Sequence, residues 1–135
     1  MQKADVEIYT WEQFDADADL IAAWARERRV KNIYGVPRGG WILAVKLSHL
    51  LNNLPIVLCR DEITRDTLIV DDIIQGGNTM QGILSSVGDT VSVAVLYYNE
   101  DSSRKPDFYA HRRTKWVRFP WETPETSDYN NTPIP

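Results

Sequence analysis

The chain has 135 residues, with 15 Lys and Arg against 19 Asp and Glu, for a formal charge of −4. Domains usually run to about 100–150 residues, so this length suits one domain and excludes a dinucleotide domain joined to a separate substrate domain. The acidic balance excludes a general nucleic-acid or membrane-surface binder, which needs a basic face. At 43% hydrophobic and 25% charged, the composition is that of a globular chain rather than a disordered one.

In chain order, Met1-Gln2-Lys3-Ala4-Asp5 carries no apolar run, so neither a signal peptide nor a membrane span is expected, and the reading is a cytoplasmic protein. Thr10 to about Arg29 reads as a helix. Thr10 and Gln13 can form a capping box, Asp15, Asp17 and Asp19 load its early turns with acid, and Phe14, Ala18, Ile21, Ala22 and Ala25 recur at helical spacing. A strand, Asn32 to Val36, runs into the turn Pro37-Arg38-Gly39-Gly40. An apolar helix follows from Trp41 to Leu51, ended by Asn52-Asn53. Leu54 to Cys59 reads as a second strand, and a short charged link covers Arg60 to Asp66. Thr67 to Val70 is a third strand that ends on Asp71-Asp72. A glycine-bearing loop from Ile73 to Gly77 leads into a helix from Asn78 to Val87, and Thr90 to Tyr98 is a fourth core strand. The last stretch, Glu122 to Pro135, offers little to bury. The single Cys59 excludes an internal disulfide and a cysteine-rich zinc site, and reads as a small core residue.

Strands alternating with helices predict a three-layer α/β fold, a twisted parallel sheet covered by helices on both faces. Ligands of such sheets bind at the carboxyl ends of strands. Three of the four strand ends carry unusual chemistry here: Pro37-Arg38-Gly39-Gly40, Asp71-Asp72 with its glycine loop, and Tyr97-Tyr98-Asn99. The central segment is Leu68-Ile69-Val70-Asp71-Asp72-Ile73-Ile74-Gln75-Gly76-Gly77-Asn78-Thr79. Backbone N–H groups of a loop that opens into a helix make an anion site. Thr79 adds a hydroxyl, and Gly76 and Gly77 admit a phosphate close to the backbone. Carboxylates beside such a site repel phosphate, so Asp71 and Asp72 must serve sugar hydroxyls or a divalent cation. The set reads as a site for a phosphorylated sugar held with Mg2+. The blander alternative, a solvated strand end followed by a simple turn, does not account for the whole order of strand, acid pair, glycines, threonine and helix.

This segment resembles the phosphoribosyl-pyrophosphate (PRPP) motif of type I phosphoribosyltransferases. The similarity covers nearly the whole chain, through Glu7-Ile8-Tyr9-Thr10-Trp11, Gly35-Val36-Pro37-Arg38-Gly39-Gly40 and Lys115-Trp116-Val117-Arg118-Phe119-Pro120-Trp121-Glu122. The last of these is similar to the purine branch, in particular the small bacterial xanthine-guanine enzymes. The resemblance implies a single domain over 1–135, with a core of about 1–98 and a small C-terminal hood and tail of about 99–135. It also implies a homodimer or homotetramer acting on PRPP and a purine-type base. Asp71 and Asp72 would hold the ribose hydroxyls, partly through Mg2+, and Gln75, Gly76, Gly77, Asn78 and Thr79 would cradle the 5′-phosphate. Pro37, Arg38, Gly39 and Gly40 would hold the pyrophosphate, with a non-proline cis peptide at Pro37–Arg38 and with Arg38 supplying positive charge. Asp71, Asp72 and Arg38 are thus the implied catalytic residues. Trp116 would stack on the base, the backbone of Val117 would read its edge, and Asn99 could bond to its substituents.

Four departures from the family pattern bear on activity. Gln75 stands where purine-using relatives carry an Asp as general base, and glutamine cannot take a proton. Gly76 stands where a hydroxyl usually grips phosphate. The link from Arg60 to Asp66 is too short for the family's mobile lid. Tyr98 or Asn99 replaces the lysine that 6-oxopurine users place at the end of the fourth strand, so the base remains open. A nucleotide-binding regulator of the same fold, without turnover, is the alternative these departures favour. Leu68 to Asp72 also suits the first strand of a response-regulator receiver, but too little chain follows it. His49 and His111 lack partners at metal-ligand spacing and read as helix-face and surface residues. Trp11, Trp24 and Trp41 read as packing or subunit-contact residues, and Trp121 as a buttress to Trp116.

Overall fold

Helix α1 (Trp11–Arg28) begins where the sequence supplies both halves of a capping box. Gln13 N donates to Thr10 Oγ1 at 3.1 Å, and Thr10 N donates to Gln13 Oε1 at 2.9 Å. These bonds satisfy two of the N–H groups that a helix start leaves without partners. The helix buries Phe14, Ala18, Ile21, Ala22 and Ala25, as its periodicity predicts, and Asp17 with them. The computed structural model describes residues 6–74, 78–88 and 90–127. Helix α2 (Gly39–Leu50) starts two residues before the expected Trp41, because Gly39 and Gly40 already belong to its first turn. Past its end, Asn52 and Asn53 take left-handed backbone, with φ of 59° and 63°, a conformation asparagine tolerates better than most residues. Helix α3 (Asn78–Val87) matches its predicted bounds.

The main sheet is parallel throughout. It contains β2 (Asn32–Gly35), β3 (Ile56–Val57), β4 (Thr67–Ile74), β5 (Ser92–Tyr98) and β6 (Phe108–Arg112), in the order β3-β2-β4-β5-β6. Helices α1 and α2 cover one face with residues such as Ile21, Leu43 and Leu47, against Leu68, Val70 and Leu96. Helix α3 covers the other with Met80, Ile83 and Leu84, against Ile69, Val93 and Val95. All seven residues of β5 are buried, as expected for a central parallel strand covered on both sides. Each fully buried Ile or Leu contributes about 1.5–3 kcal/mol, so both helical layers are held mainly by this apolar packing. A separate two-stranded parallel sheet pairs β1 (Val6–Ile8) with β7 (Trp116–Arg118), Val6 opposite Trp116 and Ile8 opposite Arg118.

Three expectations are corrected. The second strand, read as Leu54 to Cys59, shrinks to Ile56–Val57 at the sheet edge, and Leu58 is 72% exposed. Strand β4 does not stop at the acid pair. Ile73 and Ile74, read as loop, pair with Tyr97 and Tyr98. Phe108–Arg112 supplies a fifth parallel strand from the stretch after residue 98.

Candidate functional site

The strand order places the site. From β2 the chain crosses outward to β3 and then returns to β4 on the other side of β2, so the loops after β2 and β4 leave in opposite directions. Such a switch point opens a crevice at the carboxyl ends of the two strands. Both motifs singled out in the sequence lie at those ends.

The loop after β2 is held against β4 by backbone contact. Val36 N donates to Val70 O at 2.9 Å and Gly40 N to Val36 O at 2.8 Å. The Pro37–Arg38 peptide is cis, at the bond the resemblance implied. A Cβ on Gly35 would meet Gly40 O at 2.5 Å, and one on Gly40 would meet Val70 O at 2.5 Å. Glycine is required at both because two backbones touch there. A Cβ on Gly39 would lie 1.8 Å from Asp72 Oδ2. The Asp72 carboxylate therefore occupies the space that a side chain at Gly39 would fill. It sits over the first turn of α2, where the helix dipole favours negative charge. The acid pair is oriented by its own backbone: Asp72 N donates to Asp71 Oδ1 and Ile73 N to Asp72 Oδ1, each at 2.8 Å.

These groups open on a cavity of about 680 Å³, within the usual range for small-molecule sites, about 300–1,000 Å³. Pro37, Arg38 and Gly39 form one wall, and Asp71 and Asp72 the floor between the strands. Asn78 and Thr79 add the first turn of α3, whose N–H groups suit an anion. The segment after β7 closes the far side with Trp121, Glu122 and Thr126. The charged lining residues described are Arg38 against Asp71, Asp72 and Glu122.

Seven residues expected at the site thus come together: Pro37, Arg38, Gly39, Asp71, Asp72, Asn78 and Thr79. Gly40 packs beneath them on Val70. Gln75, Gly76 and Gly77 lie outside the described residues. Trp116, Val117 and Asn99 are not among the residues lining this cavity. Trp116 is buried, with the Arg113 guanidinium 5.1 Å from the centre of its ring. Val117 belongs to the core under α1 and α2. Asn99 N donates to Ile74 O at 3.2 Å. Trp121, read as a buttress, lines the cavity instead, its ring stacked on Phe119 at 5.0 Å. Trp41, read as packing, also lines it, as do Glu122 and Thr126. Glu122 was legible only as the end of a motif. What brings it inward is a tight turn in which Phe119 N donates to Glu122 Oε1 at 2.8 Å and Glu122 N to Phe119 O at 3.0 Å.

No protein-family model and no curated protein sequence matches the chain. Solved structures do. The purine phosphoribosyltransferase of Pyrococcus horikoshii Ot3 is 30% identical with a TM-score of 0.79, over 88% of this chain and 95% of that one. The xanthine-guanine-hypoxanthine phosphoribosyltransferase of Helicobacter pylori is 20% identical with a TM-score of 0.74, over 87% and 94%. A Neisseria gonorrhoeae protein with bound ppGpp is 19% identical with a TM-score of 0.73, over 93% and 94%; these last two likenesses are of fold. A switch-point crevice with an arginine loop on one side and an acid pair on the other is that of the α/β proteins that bind ligands at the carboxyl ends of parallel strands. Within that class, the chain belongs to the type I phosphoribosyltransferase family.

Proposed function

We propose that the chain transfers 5-phosphoribose from PRPP to a purine-type base, forming a nucleoside monophosphate and releasing pyrophosphate. The observation that carries this reading is the convergence of the Arg38 loop, the Asp71-Asp72 pair and the start of α3 on one cavity, in a chain 30% identical to a purine phosphoribosyltransferase. In the reaction a base nitrogen bonds to C1′ as the C1′–oxygen bond to pyrophosphate breaks, through an oxocarbenium-like transition state, and the proton on that nitrogen passes to water or to the departing pyrophosphate. Arg38 would hold the leaving pyrophosphate. Because the Gly40 N–H is committed to Val36 O, the positive charge on that side comes from the guanidinium. Asn78, Thr79 and the first turn of α3 would take the 5′-phosphate.

Asp71 and Asp72 would orient the ribose hydroxyls. Their hard oxygen donors also fit Mg2+, which takes one or two carboxylates and completes its shell with water and substrate phosphate. Among the described residues no three His, Cys, Asp or Glu side chains group to hold a metal by themselves, so the substrate's own oxygens would supply the rest. Held there by Asp71 and Asp72, Mg2+ would supply charge neutralisation for the leaving pyrophosphate. The base would lie on the wall that Trp121 lines. The stacking role implied for Trp116 requires its buried ring, under Arg113, to become accessible.

The test is incubation with PRPP, Mg2+ and a panel of free bases while nucleotide formation is followed. Turnover with a purine is expected. Gln75 cannot accept the base proton, and a general base is worth about 10²–10⁴-fold, so Gln75→Asp should raise the purine rate by some part of that factor. Nucleotide binding without product from any base would instead support a regulator of the same fold. Gln75, Gly76 and the short link favour that second reading, as does the nucleotide bound by the Neisseria protein of like fold.

A further inference from the structure

The reaction proposed above leaves unused a cluster of titratable side chains that adjoins the aromatic wall of the cavity. Asp17 on α1 is buried, with a side chain 7% exposed. Its Oδ2 accepts from the Tyr9 hydroxyl at 2.5 Å and from His111 Nε2 at 2.7 Å. The Tyr97 hydroxyl donates to Glu7, and the His111 ring lies 5.0 Å from that of Tyr97. Burial first, and then the hydrogen bond to Asp17, push the Tyr9 phenol far above its ordinary value. Burial and then Glu7 do the same to Tyr97. Both hydroxyls therefore remain donors.

The cluster joins separate parts of the fold. Glu7 lies on β1, Tyr9 just beyond it, Asp17 on α1, Tyr97 on β5 and His111 on β6. It thus ties the two-stranded sheet to the main one. Tyr9 N donates to Arg118 O at 3.0 Å, at the end of β7. From there the chain runs through Phe119, whose ring meets those of Tyr9 at 5.4 Å and Tyr97 at 5.9 Å, to the stacked Trp121 in the cavity wall. A buried carboxylate is costly unless well paired, and apolar packing would stabilise such a place at least as well. What the hydrogen-bonded cluster adds is direction: it fixes one arrangement of the strand pair against the sheet.

We propose that Tyr9, Asp17 and His111 are positioning residues that hold the Trp121–Glu122 wall and thereby set the affinity of the cavity for its nucleotide. The affinity half rests on the phosphoribosyltransferase reading; the positioning half does not. Tyr9→Phe removes one hydroxyl, His111→Ala removes a partly exposed ring, and His111→Gln keeps a donor for Asp17. In hydrogen–deuterium exchange on the ligand-free protein, amides of residues 116–122 should exchange about ten-fold faster in Tyr9→Phe and His111→Ala, the factor one hydrogen bond to a charged group supplies. They should return toward wild type in His111→Gln, with residues 67–74 unchanged in all three. Unchanged exchange at 116–122, or an equal rise everywhere, overturns the proposal. In parallel, GMP with Mg2+ should bind about ten-fold more weakly to the first two variants and regain affinity in His111→Gln. Turnover should show the loss in KM with kcat held within about two-fold, since no group touching the reacting atoms has changed. Equal GMP affinity in wild type and variants overturns the affinity half. Failure of the wild type to bind GMP or PRPP sinks the functional reading instead, and the exchange measurement still decides the positioning.

Discussion

Gly39 and Gly40 stand side by side in the sequence and face different obstacles. A methyl group on Gly39 meets the Asp72 carboxylate, the end of a side chain that can swing away. A methyl on Gly40 meets the Val70 carbonyl, which belongs to the sheet and cannot. Gly39→Ala should therefore leave the fold nearly intact and displace Asp72, with a loss of PRPP affinity at least ten-fold. Gly40→Ala should cost about 1–3 kcal/mol of stability, the usual price of overpacking. Urea denaturation and PRPP titration on the two variants separate these effects. If both variants lose stability equally and bind equally, Asp72 does not depend on the glycine beneath it. The pair was legible as a motif, but which glycine guards the carboxylate and which the backbone depends on contacts between residues thirty or more positions apart.

At the scale of elements, the link between β3 and β4 supplies none of the residues that line the cavity. It forms one turn of 3-10 helix (Arg60–Glu62), and Ile63 behind it is buried in the core shared with α3. Thr64 N donates to Thr67 Oγ1, which donates to Asn32 Oδ1 at 2.6 Å, so the end of the link is fastened to β2. A segment anchored this way is a structural strap. Ile63→Ala should cost about 2–4 kcal/mol in denaturant unfolding, as for other buried isoleucines, without a change in KM. A change in kcat or KM without that loss would mark the link as a moving cover. Elements set by local signals were the legible ones. The Thr10–Gln13 box and the apolar stripe located α1, and Asn78 to Val87 was right at both ends. The misread elements depend on distant partners. Ile73 and Ile74 extend β4 because Tyr97 and Tyr98 lie alongside, and Phe108–Arg112 is a strand because β5 offers it an edge. The acid pair also hides a change of phase. Leu68 and Val70 face the α1–α2 core and Ile69 the α3 core, yet Ile73 packs with the first and Ile74 with the second. Strict alternation therefore slips by one position across Asp71-Asp72, and no period-two reading could carry the strand through it. The same limit applies to the aromatic wall. Trp116 and Trp121 belong to one motif, and only the turn at Phe119 and Glu122 determines which of them lines the cavity.

For the molecule as a whole, charge sets the terms of binding. The chain is at −4 and the cavity lining described has one arginine against three carboxylates. A polyphosphate ligand enters such a site at an electrostatic cost that helix N-termini and Arg38 only partly offset. A cation bound together with the ligand would supply the remainder. Stabilisation by PRPP should accordingly require Mg2+. At a free ligand concentration of 100 times Kd, the native state gains about 2.7 kcal/mol, which for a domain of this size is an increase of about 8 °C in Tm. Chelation by EDTA should remove most of that increase, and Asp71→Asn with Asp72→Asn should remove it whether or not Mg2+ is present. The melting curves discriminate sharply. An increase that survives EDTA but not the double substitution means the carboxylates grip the ribose hydroxyls directly. An increase that survives both means the ligand is held elsewhere, by Arg38 and the start of α3 alone, and the acid pair has no part in binding.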